Sequence, residues 1–486
     1  MKIAGEPCSA RAKRALALAT VLAPMVASCG GGGGSSSSGG GTAPVATAPT
    51  ITSSASASVV ENTTGTAYSA SASDPQNDPI TWDVFAGADA GSFTIDSNGA
   101  LAFQEAPNFD LPGDANGDNI YEVTIRARAG GEQDTLALRL EVTNDKEGIS
   151  VTRVVTGLVD PVSFAPIPNE PVLLVAERDG RVLRYNVETG DLTEDIIIRD
   201  NRRPGTVLSI AYAFPDAPYQ EGIYMVTHDP TTGLSMQAFG DGRSIARVHE
   251  MGGSATPPPS VSMLTSGTLL VAVGSPAENV AQDASTPYGK LIEFGDFNPY
   301  AVAGVPDGFA FRPAVIADGI QRPGGMSPAS DRTYLADQGS TTAHELTVFD
   351  RRWRPLDFGW PFWEGSRETR DNPPAQVNGP KLEYAVGDGR KEGEGIIAGL
   401  LNDENFLESV GDNYVFADSN GTIFTTPRAR LQDEFLHFAD VFEDRTLDFE
   451  PDAGAIDQPL AITSANGSAS FFILDADGEI FRVEDE

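Results

Sequence analysis

The sequence predicts an all-β protein, a β-sandwich followed by a six-bladed β-propeller, and three observations carry that expectation. Gly 51 and Pro 34 among 486 residues supply many tight turns. Short apolar runs of strand length recur along the chain, with few stretches of helical period. Hairpin-shaped units also repeat in the C-terminal part: LLVAERDGRVLRY, NYVFADSNGTIFTT and FFILDADGEIFRV each run as an apolar strand that ends in an acid, turns through glycine and returns. The length calls for more than one unit, because single cores stop growing near ~250–300 residues.

Residues 1–28 begin basic, with Lys2, Arg11, Lys13 and Arg14, and then turn apolar. The apolar stretch is too short to span a membrane and reads as a secretory signal. Its end, VASC, resembles the lipobox of bacterial lipoproteins, which implies lipidation at Cys29 and, with Gly30 following, an outer-membrane lipid anchor. Residues 29–42 are nearly all Gly and Ser, the composition of a flexible tether. Cys8 leaves with the signal, so no thiol pair remains for a disulfide and no cysteine for catalysis. The formal charge of −36 repels nucleic acid and anionic headgroups, and it suits either divalent cations or plain solubility.

Residues 43–148 carry short segments of period two: SASVVEN, ITWDVF, GSFTID, ALAFQE, YEVTIRARA and LALRLEVTN, separated by Asp, Asn, Gly and Pro. That spacing predicts a sandwich of roughly seven strands. The ordered motifs VVENTTG, ASDPQND, APNFDLPGDANGDN and VTND resemble bacterial cadherin-like repeats, which implies adhesion and Ca²⁺ held at the domain end by Glu61, Asp110 and Asp145. Asn108 stands where that family has an aspartate, and Ala129 replaces another. The run DANGDN has glycine fourth rather than sixth and no closing glutamate, which rejects an EF-hand and leaves a cation-stiffened loop or an Asx-rich turn.

Residues 149–486 contain about six hairpin pairs with connecting strands, at roughly 56 residues per blade, the expectation for a six-bladed propeller. The strands near 471–483 are placed to complete a blade begun just after Ile149. The ordered elements IADGIQRPGGMSP, DQGSTTAHEL, FGWPFWEG and VGDNYVFADSNGTI resemble the soluble glucose and sorbosone dehydrogenase family. The resemblance implies pyrroloquinoline quinone, Ca²⁺ and a histidine base that takes the hydroxyl proton.

Aligned on Gly267 and Gly274, the base position falls on Thr256, a neutral hydroxyl, with His249 a few residues earlier as the displaced candidate. Gln321 and Arg322 stand where the family presents an arginine and an asparagine. By the same resemblance Lys290, Gln321, Arg322 and Gln338 form the cofactor set, and Asp337 and Glu345 bind metal. The bland reading makes Asp283 and Asp337 turn acceptors and leaves His228, His344 and His437 structural. Trp360 matches the family's GWP element and reads as blade packing, whereas Trp363 is the candidate sugar platform. No GxSxG, HExxH, P-loop or CxxC occurs.

Two functional readings follow. In the first, a lipid-anchored envelope protein presents a propeller that binds a carbohydrate or cell-surface protein, its catalysis lost or altered. In the second, an active quinoprotein oxidises an aldose to a lactone.

Overall fold

In the computed structural model, the structure describes residues 46–197, 205–213, 222–239, 245–265, 268–295, 312–329, 332–350, 352, 354–403 and 406–486. Cys29, its flanking leader and tether, and Trp353 lie outside the described residues.

The N-terminal unit pairs a four-stranded sheet with a three-stranded one. Strand Ile120–Ala129 shows why: Tyr121, Val123, Ile125, Ala127 and Ala129 point inward, while the alternating Glu122, Thr124, Arg126 and Arg128 point out. Phe93, Leu101 and Tyr68 of the smaller sheet meet that inner face, with Phe93 and Tyr121 edge to face at 5.7 Å. The DANGDN loop resolves as an Asx-rich turn. Asp114 accepts the backbone N–H groups of Asn116, Asp118 and Asn119, so its carboxylate is already engaged by its own loop.

The C-terminal unit contains, among the described residues, six sheets of four or five strands each, arranged as blades. The second strands of the blades, such as Val172–Glu177 and Phe471–Asp475, are buried on both faces because each blade packs against two others. This is why they read as continuous apolar runs rather than alternating ones. A separate apolar cluster fills each of the six blade junctions, including that between the sixth blade and the first, where Phe472 and Leu474 meet Leu173, Val175 and Tyr185. The sixth blade is completed by Ile149–Val155, which pairs antiparallel with Ile480–Asp485 and so closes the ring with a strand from the unit's other end. The expected all-β architecture and its six blades are thus present.

One device recurs around the ring. The acid that ends a second strand accepts backbone N–H groups at the entry to its own blade. Glu177 takes Val159 N, Asp337 takes Gln321 N and Arg322 N, Asp418 takes Glu394 N and Gly395 N, and Asp475 takes Asp457 N and Gln458 N. The repeated acid seen in the sequence is therefore a clasp for otherwise unpaired donors. His228 and Val273 hold the equivalent register positions in blades two and three.

Candidate functional site: the axial cavity

The first strands of all six blades line a cavity of about 980 Å³ that follows the propeller axis. Its walls are mostly apolar, with Phe164, Ile210, Met263, Leu400 and Ile462 prominent. One mouth lies where the second strands end, and it gathers Arg178, His228, Gln338 and the run 257–259 of three prolines. The opposite mouth carries Asp403, Phe406 and Ser468. A concave, largely apolar chamber with a few polar groups at its rim has the ordinary make-up of a ligand site.

Of the residues expected from sequence, Gln338 lines this cavity. Its backbone N–H donates to Arg322 O at 2.9 Å, and its side-chain amide donates to Ile396 O of the next blade at 3.1 Å. Arg322 lies beside it, with an exposed side chain. Gln321 spends its side-chain amide on Ser340 Oγ at 2.7 Å, while its carbonyl accepts Ser275 N.

Lys290 differs from expectation. Its side chain is wholly buried, donating to Ala281 O at 2.5 Å and pairing with Asp318 at 3.0 Å. It ties the third blade's loop in place instead of offering a charge to a ligand. Gln282 is similarly spent, donating to Asp357 and to Trp360 O. Asp283 caps its own turn through the hydroxyl and N–H of Ser285, contacts that hold its carboxyl below the usual range.

The proposed base positions also resolve against base chemistry. Thr256 is exposed, and its carbonyl accepts the Tyr288 hydroxyl at 2.9 Å. His249 sits on the outermost strand of blade two, edge to face on Phe294 at 5.8 Å, and is absent from the cavity wall. Burial pushes its pKa down. His249 and Thr256 are close in sequence, but depth within a blade separates the two places. The histidine at the cavity is His228, whose Nε2 lies 3.0 Å from Ser254 O.

Asp337 and Glu345 do not form a metal shell. Asp337 has each oxygen on a clasp N–H, at 2.8 and 2.6 Å, and burial still pushes it up to about 6. Glu345 accepts Gly365 N; burial, then the neighbouring Asp337, drive its pKa well up. They face each other in register, Asp337 opposite Glu345 and Glu345 opposite Glu383. Sequence reasoning missed Glu364, which anchors the neighbouring loop by accepting Ser340 N, Thr341 N and Thr342 N. Burial opposes its ionisation, but these N–H donors and the Thr341 hydroxyl together leave its pKa lowered. His344 is fully buried, its Nε2 2.9 Å from Gly393 O and its pKa pushed down by burial. Among the described residues, two groups of three acids have ligand atoms within 4.8 Å of one another, Asp110–Glu147–Asp448 and Asp457–Asp475–Asp477; neither contains Asp337 or Glu345.

In FGWPFWEG the backbone turns tightly, with Phe362 N and Trp363 N both donating to Gly359 O. Trp360 and Trp363 are half-buried and do not line the axial cavity.

The donor set does not fit a quinone carrying several carboxylates. Such a ligand asks for converging cations, whereas of the expected set Lys290 is consumed internally, Gln321 and Gln338 give their side-chain amides to the protein, and Arg322 alone offers an exposed charge. Of the calcium set, Asp110 alone falls in a cluster of acids. Glu61 has both oxygens on backbone donors, Phe109 N at 2.8 Å and Asp145 N at 2.9 Å, and Asp145 is exposed.

Fold and cavity together define the class, a six-bladed β-propeller with an axial chamber, joined to a β-sandwich. No protein-family model and no curated protein matches the chain. Among solved structures, it is similar to the pyrroloquinoline quinone-bound aldose sugar dehydrogenase of Streptomyces coelicolor, at 16% identity over 70% of this chain and 98% of that one, TM-score 0.46. The apo soluble aldose sugar dehydrogenase of Escherichia coli gives 16% identity over 70% and 100%, TM-score 0.48. The quinone domain of the Coprinopsis cinerea pyranose dehydrogenase gives 15% over 69% and 95%, TM-score 0.47. The blade count itself stands on the strand pairing described above.

Proposed function

We propose that this is an envelope protein whose propeller binds a carbohydrate or a cell-surface protein at the mouth marked by Arg178, His228 and Gln338, without oxidising it. The observation that carries the reading is the fate of the expected machinery: Thr256 is a hydroxyl turned to solvent, and Lys290 is buried in an ion pair. The second reading, a quinone-dependent sugar dehydrogenase that makes a lactone from an aldose, draws support from the ordered motifs and the exposed Arg322.

Both readings meet in one experiment. The purified chain is incubated with pyrroloquinoline quinone and Ca²⁺, assayed for dye reduction with a panel of aldoses, and titrated with the same sugars and longer glycans by calorimetry. Glycan binding without dye reduction is expected; turnover that disappears in Arg322→Ala would overturn the binding reading. Binding of no glycan moves the ligand class to protein.

Anchoring through Cys29 to the outer membrane is part of the same proposal and rests on the VASC sequence and the Gly/Ser tether. Metabolic labelling with a fatty acid is expected to mark the wild-type chain and to be lost in Cys29→Ser. Label retained in that variant would remove the anchor from the reading.

A further inference from the structure

The end of the sandwich meets the propeller at a dense set of polar contacts. Asn108 Nδ2 donates to Glu443 at 2.9 Å, Asp444 N to Asp110 O at 3.1 Å, Arg390 to Gly117 O at 2.6 Å and Lys146 to Glu450 O at 2.8 Å. At their centre three carboxylates crowd together: Asp110 and Glu147 from the sandwich side and Asp448 from the propeller, with ligand atoms within 4.8 Å of one another. Carboxylates at that spacing repel one another unless a cation or a proton lies between them.

The cation present is a side chain. Arg445 of the propeller, 3% exposed, puts Nε 2.6 Å from Asp448 and 3.5 Å from Asp110, and Nη2 2.6 Å from Glu147. The remaining oxygens are nearly all spoken for: Asp448 Oδ1 accepts Asn144 Nδ2 at 2.8 Å, and Glu147 Oε1 accepts Asn62 Nδ2 at 2.6 Å. Asp110 Oδ1 has no partner, and Asp110 Oδ2 has only the 3.5 Å contact with Nε. A calcium ion takes six to eight oxygens, and while the guanidinium stays this cluster has only those of Asp110 to give. Glu61, a further acid beside the cluster, is held by backbone donors.

We propose that Arg445 takes the place of a divalent cation at this junction, so that sandwich and propeller are joined by an arginine lock that needs no metal and fixes their relative orientation. A planar fork that meets several carboxylates at once suits this task better than an ammonium. The lock replaces the calcium that the sandwich motifs implied, and it stands whether the propeller binds or oxidises its ligand.

The test uses the full chain with Cys8→Ser and Cys29→Ser, spin-labelled at Ser58→Cys in the sandwich and Glu188→Cys in the propeller, both exposed positions. With Arg445 present, the inter-label distance distribution is expected to be narrow and unchanged by millimolar calcium or chelator. In Arg445→Ala it is expected to broaden without metal and to narrow again on adding calcium, because the carboxylate oxygens that faced the guanidinium are then free to ligate. A purely structural arginine would show no such rescue. The proposal is overturned by stoichiometric calcium binding at the junction of the unaltered chain, by an Arg445→Ala distribution that stays narrow, or by failure of calcium to narrow a broadened one. If Arg445→Ala does not fold, Arg445→Lys keeps the charge without the fork. It is expected to broaden the distribution, and an unchanged one counts equally against the lock.

Discussion

Replacing Asp418 by alanine is expected to lower the unfolding free energy of the propeller by about 4 kcal/mol, read from the denaturant midpoint. The size follows from what the carboxylate holds. Fully buried, it accepts the Tyr384 hydroxyl at 2.7 Å, Gly395 N at 3.1 Å and Glu394 N at 2.9 Å. Alanine strands the Tyr384 hydroxyl and the Gly395 N–H in the interior, and each buried orphan costs roughly 1–3 kcal/mol. Tyr384→Phe removes one donor while leaving the acceptor its other partners, so its loss is expected to be about 1 kcal/mol. Equal losses in the two variants would show that the clasp N–H groups contribute nothing.

The second large effect is expected at Gly324. This residue belongs to the first strand of blade four, and its backbone lies against the first strand of blade five at the cavity wall. A Cβ placed there falls 1.8 Å from Ile396 O, a backbone atom with no rotamer to escape into. Gly324→Ala must therefore push two blades apart, at a cost of about 3 kcal/mol typical of overpacking. The Gln338 bond to Ile396 O should break with it, so ligand affinity at the mouth is expected to fall along with the denaturant midpoint. An unchanged midpoint would mean that the blades slide without penalty.

Much of the fold was legible because strands packed on both faces must be apolar throughout. LLVAERDG and FFILDADG announce second strands and, in Glu177 and Asp475, the clasps that end them. Depth within a blade was not legible. His249 and the mouth are close in sequence but lie on an outer strand and at the axis, since each strand in a blade moves the chain one step outward. Lys290 enters the cofactor set by resemblance alone, and its burial on the strand is not visible in the motif. Its neutralising partner, Asp318, comes from the adjoining strand and could be found only through their register.

The junction shows the same limit in another form. Asp145 closes a recognisable motif, yet Glu147 adopts a left-handed backbone, with φ of 53°, ahead of Gly148 at 83°, and this turn delivers Glu147 to the cluster while Asp145 faces solvent. Asp448 and Arg445 lie about 300 positions further along, beyond the reach of any local pattern.

The closing blade has a consequence for how the chain reaches this structure. Among the described residues, strand Ile149–Val155 has its one sheet partner in Ile480–Asp485, so the ring's seam joins segments at opposite ends of the propeller's sequence. Until the later segment is made, the earlier one is an exposed edge that can pair with another molecule. Such a distant contact is also slow to form, because the loop must close before the pairing rewards it. Biogenesis therefore contains an interval in which the sandwich has all its strands and the propeller is open, and protection from aggregation matters most during that interval.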